Sequence, residues 1–237
     1  MVVRTFAAGL VVVLFTILLI PLLLVCFLFG LRRPLFLVAK FALRLTALAA
    51  GLRVEVSGLE HIDRKRAYVF MSNHLSLIDG PLLFLLIPQP VRVILKKTLF
   101  RIPVIGLSMS WVGFVPVDRR GVRQGRQAID RAAASMRDKK HSFLIFPEGT
   151  RSRDGRLQDF KRGGFFLAAE AGAPILPLSL EGTFALMPRG SFFIRPGKIR
   201  VRFHPCLPAG RPGVDSAVDI MDKTRAAIAS GLSEEGR

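Results

Sequence analysis

Ser142-Phe143-Leu144-Ile145-Phe146-Pro147-Glu148-Gly149-Thr150-Arg151 decides how this chain is read. A short apolar run, 142–146, breaks off into proline, carboxylate, glycine and arginine. The run has the length of a buried strand. The residues after it are poor packing material. Glycine lets backbone N–H groups come close to an oxyanion. Arg151 is suited to gripping a phosphate through two hydrogen bonds, and Glu148 to accepting one from a hydroxyl. The plain alternative is a strand-end turn with a surface salt bridge. Against it, a chance match to all six residues from Phe146 is below about one in ten thousand.

Other runs of the same length lie on either side, at 67–71, 91–95, 175–180 and 199–203, with a weaker one at 113–117. Helix-like stretches fall between them, at 78–87, 99–110, 123–138, 163–171 and 215–230. Strand–helix alternation predicts an α/β domain whose sheet is flanked by helices on both faces. Functional residues in such folds collect in loops beyond strand ends. The stretch from Phe146 occupies such a loop, and so does Asn73-His74-Leu75-Ser76-Leu77-Ile78-Asp79, after the 67–71 run.

In that second loop His74 and Asp79 are five apart, so they do not share a helix face. They meet only if His74 lies in the loop and Asp79 in the first helical turn, with Ser76 as a natural N-cap. The chemical reading makes His74 a general base and Asp79 the carboxylate that holds its tautomer. The structural reading makes both decorations of a strand-to-helix turn. Spacing alone leaves the two equally open. Gly106-Leu107-Ser108-Met109-Ser110 approaches a nucleophile elbow but lacks the closing glycine. Direct attack by an acceptor is therefore expected, without a covalent enzyme intermediate.

The N-terminus differs in kind. From Thr5 to Gly30 no residue is charged, a run long enough to cross about 30 Å of hydrocarbon. A signal peptide would be shorter and closely followed by a cleavage site. Here the run leads into Arg32 and Arg33. Pro34 to Gly51 reads as a second helix on which Arg33, Lys40 and Arg44 form a basic stripe, suited to the headgroup layer. Two units are expected: membrane-anchoring helices over 1–51 and the α/β domain over 52–237. Pro21 permits a kink, so the first run either spans the bilayer or bends within one leaflet. The tail from Ser233 is expected to fray.

The formal charge of +18 favours an anionic partner: a membrane surface, a phosphorylated substrate or nucleic acid. A membrane-anchored nucleic-acid or anionic-lipid binder is the rival from another class. Nucleic-acid binders usually set aromatics on basic surfaces, whereas this chain has one Trp and one Tyr. Cys26 and Cys206 form no disulfide framework. His61, His141 and His204 are scattered, which argues against a zinc site.

At the level of motifs the chain resembles the glycerolipid acyltransferases of the lysophosphatidic acid acyltransferase type. Asn73, His74 and Asp79 match their first motif, and Gly113 to Arg119 the second. Phe146 to Arg151 match the third completely, and Leu176-Pro177-Leu178 the fourth. The likeness covers roughly residues 67–183, with the motifs in order. Thr98 departs from it where an acidic residue is common. The resemblance implies an α/β acyltransferase core with an N-terminal two-helix membrane motif. It implies that His74 and Asp79 are catalytic and that Arg119, Glu148, Gly149, Thr150, Arg151 and Lys97 bind the acceptor. It implies acyl transfer from coenzyme A or acyl carrier protein to the free hydroxyl of 1-acylglycerol-3-phosphate, giving phosphatidic acid. Another lyso-lipid acceptor is the nearest alternative. No metal or bound cofactor is implied. The expected partners are a phospholipid surface, a lyso-lipid and acyl carrier protein, at the cytoplasmic face of a bacterial inner membrane.

Overall fold

A computed structural model of the chain describes residues 1–118, 121–209 and 214–237, with backbone alone at Val122 and over 214–217. Two long helices come first, α1 (Val2–Leu28) and α2 (Arg33–Ala50). Pro34 opens α2, where its missing N–H costs nothing. Gly51 closes it in the left-handed conformation, φ 71°, which glycine adopts freely. Strands and helices then alternate: β1 (Leu52–Ser57), β2 (Val69–Ser72), α3 (Asp79–Leu86), β3 (Val91–Lys96), α4 (Ile105–Trp111), β4 (Val115–Val117), α5 (Val122–Lys139) and β5 (Ser142–Ile145). After them come α6 (Gly163–Ala171), β6 (Ile175–Glu181), α7 (Thr183–Leu186), β7 (Gly197–Phe203) and α8 (Val214–Ser230).

The seven strands form one sheet in the order β1-β7-β6-β2-β5-β3-β4. Every pair is parallel except β6 with β7. The predicted covering of both faces holds. On β2, Phe70 points into one core with Leu83, Ile87, Leu144 and Leu178. Its neighbours Val69 and Met71 point into the other, with Ala132, Phe143, Phe165 and Leu167. This is the two-residue period of a strand buried on both sides. Phe36, Ala39 and Leu43 of α2 pack against the first core, so the second helix walls the domain as well as bordering it.

Several expectations change. Leu52–Ser57, not anticipated as a strand, pairs with β7; its alternating burial is that of an edge strand whose Arg53 and Glu55 face water. The helix expected over 99–110 is broken. A 3-10 turn covers Lys97–Arg101, and α4 begins only at Ile105. Pro103 explains the interruption, because it disfavours helix in the residue before it and lacks an N–H. The tail does not fray. Leu232 is buried, Leu157 N donates to Gly236 O at 3.1 Å, and Ser233 N donates to Glu181 Oε1 at 3.2 Å.

Lys40 also leaves the predicted basic stripe. Its Nζ donates to Leu85 O at 3.3 Å and Ile87 O at 2.6 Å. These are carbonyls at the end of α3, where helical partners run out and a cation is favoured. The outward face of α2 is then mainly apolar: Leu37, Phe41 and Leu48 are exposed, with Arg44 between them.

Both ends of α1 touch the α/β domain. Ile194 N donates to Thr5 Oγ1 at 3.1 Å near its start. Just past its end, Trp111 Nε1 donates to Leu31 O at 3.1 Å, and the Phe27 and Trp111 rings lie 5.1 Å apart. The helix has 27 residues, about 40 Å at 1.5 Å per residue. It lies along the domain and does not project from it.

Candidate active site

Four neighbouring parallel strands, β2, β5, β3 and β4, end on the same side of the sheet. The chain leaving β2 carries Asn73 and His74, and the chain leaving β5 carries Phe146 to Arg151. Lys97 follows β3 and Asp118 follows β4. Arg119 lies outside the described residues. Strand order thus gathers motifs that are far apart in sequence.

Asn73 fastens the first loop. Its Nδ2 donates to Leu180 O at 2.8 Å, and its Oδ1 accepts from Leu180 N at 2.9 Å. The side-chain amide thereby continues the β2–β6 ladder one residue beyond the strand. Next along, His74 Nδ1 lies 2.9 Å from Asp79 Oδ2. The same oxygen accepts from Leu75 N at 2.6 Å and Ser76 N at 2.7 Å. Asp79 is fully buried and is the first residue of α3, where a negative charge is favoured. Its Oδ1 is buried without a hydrogen-bond partner among the described residues, so the known donors converge on one oxygen. An ionised carboxylate only accepts, so Nδ1 carries the proton and Nε2 keeps a lone pair.

The predicted N-cap is revised. Ser76 Oγ donates to Met187 O at 2.7 Å, and the residue preceding the helix is Ile78, with no side-chain cap. The Asp79 carboxylate folds back onto the loop amides instead, and Ser76 ties the loop to the chain after α7.

The two motifs are bonded to each other. His74 N donates to Glu148 Oε1 at 2.9 Å, and Ser152 N donates to His74 O at 2.8 Å. The imidazole also stacks on Phe146, with centroids 4.0 Å apart and planes 17° apart. Glu148 is 3% exposed, and Gln158 Nε2 donates to its Oε2 at 3.0 Å. Burial pushes the Glu148 carboxyl up to about 7, against the pull of its hydrogen bonds from His74 and Gln158. The carboxylate expected to meet the acceptor therefore also holds the histidine loop.

Gly149 turns the chain at φ 74°, and Gly149 N donates to Phe146 O at 3.0 Å. A Cβ at this position would stand 3.1 Å from Lys161 Nζ. The lysine can give by a few tenths of an ångström, so the turn is the stronger reason for glycine here. Thr150 is exposed and Arg151 half-buried. Lys97 is exposed in its 3-10 turn. Gln158, Ser152 and the stacking role of Phe146 were not anticipated. Each acts through a contact across a loop, which leaves no periodic trace in sequence.

With this geometry in hand, comparison with known proteins is informative. A profile described as Acyltransferase matches residues 53–181. The chain belongs to that acyltransferase family. It is 37% identical over 184 residues to "1-acyl-sn-glycerol-3-phosphate acyltransferase BAT2, chloroplastic" of Brassica napus, covering 76% of this chain and 51% of that protein. It is 30% identical over 195 residues to a 1-acyl-sn-glycerol-3-phosphate acyltransferase of Pseudomonas aeruginosa, covering 82% of this chain and 75% of that one. The chain spans about half the length of the Brassica relative. In fold it resembles the 1-acyl-sn-glycerophosphate (LPA) acyltransferase PlsC of Thermotoga maritima, with a TM-score of 0.81 at 24% identity over 98% of this chain and 95% of that one.

Proposed function

We propose that this acyltransferase moves a fatty acyl group from a thioester to the free hydroxyl of 1-acylglycerol-3-phosphate, giving phosphatidic acid. One observation carries the reading: an imidazole whose Nδ1 is held at 2.9 Å by a buried carboxylate, leaving Nε2 basic. Its ring is one-fifth exposed. The acceptor hydroxyl gives its proton to Nε2 as its oxygen attacks the thioester carbonyl. Asp79 steadies the imidazolium. The tetrahedral intermediate then collapses, the carbon–sulfur bond breaks, and the departing thiolate takes the proton from Nε2. The products are an ester and a free thiol, with no covalent enzyme intermediate.

The acceptor phosphate is assigned to Arg151, and Lys97 and Arg119 are the further cations that the motifs offer. Lys161 joins them because its ammonium lies next to Gly149. Glu148 and Thr150 would meet the glycerol end. The donor is a coenzyme A or acyl carrier protein thioester. Names of relatives such as the Pseudomonas protein support this substrate class. Among the described residues α1 is long and apolar enough to cross a membrane. The contacts at both its ends favour a helix lying within one leaflet, which we place at the cytoplasmic face of a bacterial inner membrane. The deciding experiment incubates purified protein in detergent with a panel of lyso-lipids and acyl thioesters and identifies products by mass spectrometry. Phosphatidic acid from 1-acylglycerol-3-phosphate is the expected product. Preferential acylation of another lyso-lipid, or salt-sensitive nucleic-acid binding without acyl transfer, overturns the assignment.

A further inference from the structure

The segment Pro188-Arg189-Gly190-Ser191-Phe192-Phe193-Ile194-Arg195 links α7 to β7 and buries little of its apolar surface. Phe192 is 82% exposed and Phe193 45%. Arg189 and Arg195 flank them, both exposed. The loop is nonetheless well built. Ser191 N donates to Pro188 O at 3.0 Å, Ser191 Oγ bridges to both N and O of Phe193 at 3.1 Å, and Arg195 N donates to Leu186 O at 2.9 Å. These bonds fix the backbone on which the two exposed rings stand.

Its neighbours are informative. On one side Ile194 N binds Thr5 of α1, where Val3 and Phe6 are themselves exposed. On the other, Arg189 Nη1 donates to Arg151 O at 3.3 Å, and Met187 O accepts from Ser76 Oγ. The loop therefore touches the start of the anchor helix and the motif arginine, and Met187, the residue before it, touches the histidine loop.

We propose that Pro188–Arg195 is a second lipid-inserting element, with Phe192 and Phe193 at the headgroup–acyl boundary and Arg189 and Arg195 on anionic lipid phosphates. The occupant is argued from charge and continuity. Aromatic rings flanked by arginines suit the interface of an anionic bilayer, and the Ile194–Thr5 hydrogen bond joins the loop to the start of α1, where Val3 and Phe6 are exposed. The proposal rests on the reading that α1 lies in a bilayer. Inserted there, the loop seats the site's edge at the depth where a lyso-lipid phosphate sits.

The test places a tryptophan reporter in the full chain, in a Trp111→Phe background because Trp111 is the natural tryptophan. Phe192→Trp is compared with Arg225→Trp on the exposed face of α8, in vesicles of phosphatidylethanolamine and phosphatidylglycerol. Flotation on a density gradient reports α1 separately. The expected result is a blue-shifted Phe192→Trp emission that loses about half or more of its intensity when the acyl chains carry bromine, while the Arg225→Trp signal is unaffected. Solvent-like emission from floating protein overturns the proposal and leaves the anchor reading intact. Blue-shifted emission that bromine does not quench overturns it in favour of a protein cover, such as a second copy of the chain. Protein that does not float overturns both.

Discussion

The loops that follow β2 and β3 leave the same end of the sheet, yet they are built in opposite ways. After β2 nearly every polar group is committed. Asn73 is paired with Leu180, His74 with Asp79 and Glu148, and Ser76 with Met187. After β3 the chain makes a 3-10 turn that leaves Lys96 and Lys97 in water. The loop after β5 combines both styles, with Glu148 buried and Thr150 exposed. Under the proposed function, the contrast separates two tasks. A general base works only in one orientation, so its surroundings must be rigid. A phosphate is met by charge, and a solvated cation does this with little preorganisation.

If the contrast is sound, disturbing the rigid loop should do far more harm. His74→Ala is expected to lower kcat about 10²–10⁴-fold, with flotation on vesicles unchanged. Asp79→Asn sharpens the point. The amide oxygen still accepts from Leu75 and Ser76, but the imidazolium loses its countercharge, so kcat should fall while the fold persists. Wild-type rates in both variants would remove the loop from the chemistry.

Glu148 tests rigidity through pH. Its carboxyl is raised by burial from an ordinary 4.5 to about 7, so the folded protein holds this proton more tightly than the unfolded chain. The stability it contributes is full below about pH 4.5 and lost as pH rises to about 7, a swing of the order of 3 kcal/mol at most. Glu148→Gln should therefore show a smaller fall in denaturant-measured stability between pH 5 and 8 than wild type. Identical pH profiles would mean that the carboxylate is better solvated than its burial indicates.

The cationic side should respond in affinity and not in rate. Arg151→Ala is expected to raise the acceptor KM about 10–150-fold, the worth of one charge-assisted hydrogen bond, with the thioester KM nearly unchanged. Lys97→Ala, removing an exposed cation, should change acceptor KM by about fivefold or less. An effect of Lys97 as large as that of Arg151 would erase the distinction between the loops. Steady-state kinetics with each substrate varied separately decides it.

Much of this was legible in sequence because it depends on short-range chemistry. The apolar runs 67–71 and 142–146 marked strands, which the structure places at Val69–Ser72 and Ser142–Ile145, and the polar residues after them marked loops. The His74–Asp79 spacing allowed contact only across a strand-to-helix junction, which is where the two residues lie. What misled was local reading of residues whose partners are remote. Lys40 looked like an outward cation because the carbonyls of Leu85 and Ile87 were not visible from its own helix. Ser76 looked like a cap because Met187 lies 111 positions away. Leu52–Ser57 passed for a junction because an edge strand half in water carries charges that hide it.

The sequence by itself determined the alternation of strands and helices, the apolar N-terminal run, and the placing of the two polar motifs in loops beyond strand ends. Those features rest on side-chain type and on periods of two or three to four residues. Tertiary structure alone decided that β2 lies beside β5, so that Glu148 clasps the backbone of His74. It also decided that α1 lies along the domain with a contact at each end, and that the loop carrying the exposed Phe192 is tied to Thr5 through Ile194. Each of these depends on strand order and on hydrogen bonds between residues far apart in the chain, and such closures are selected by the packing of the whole molecule.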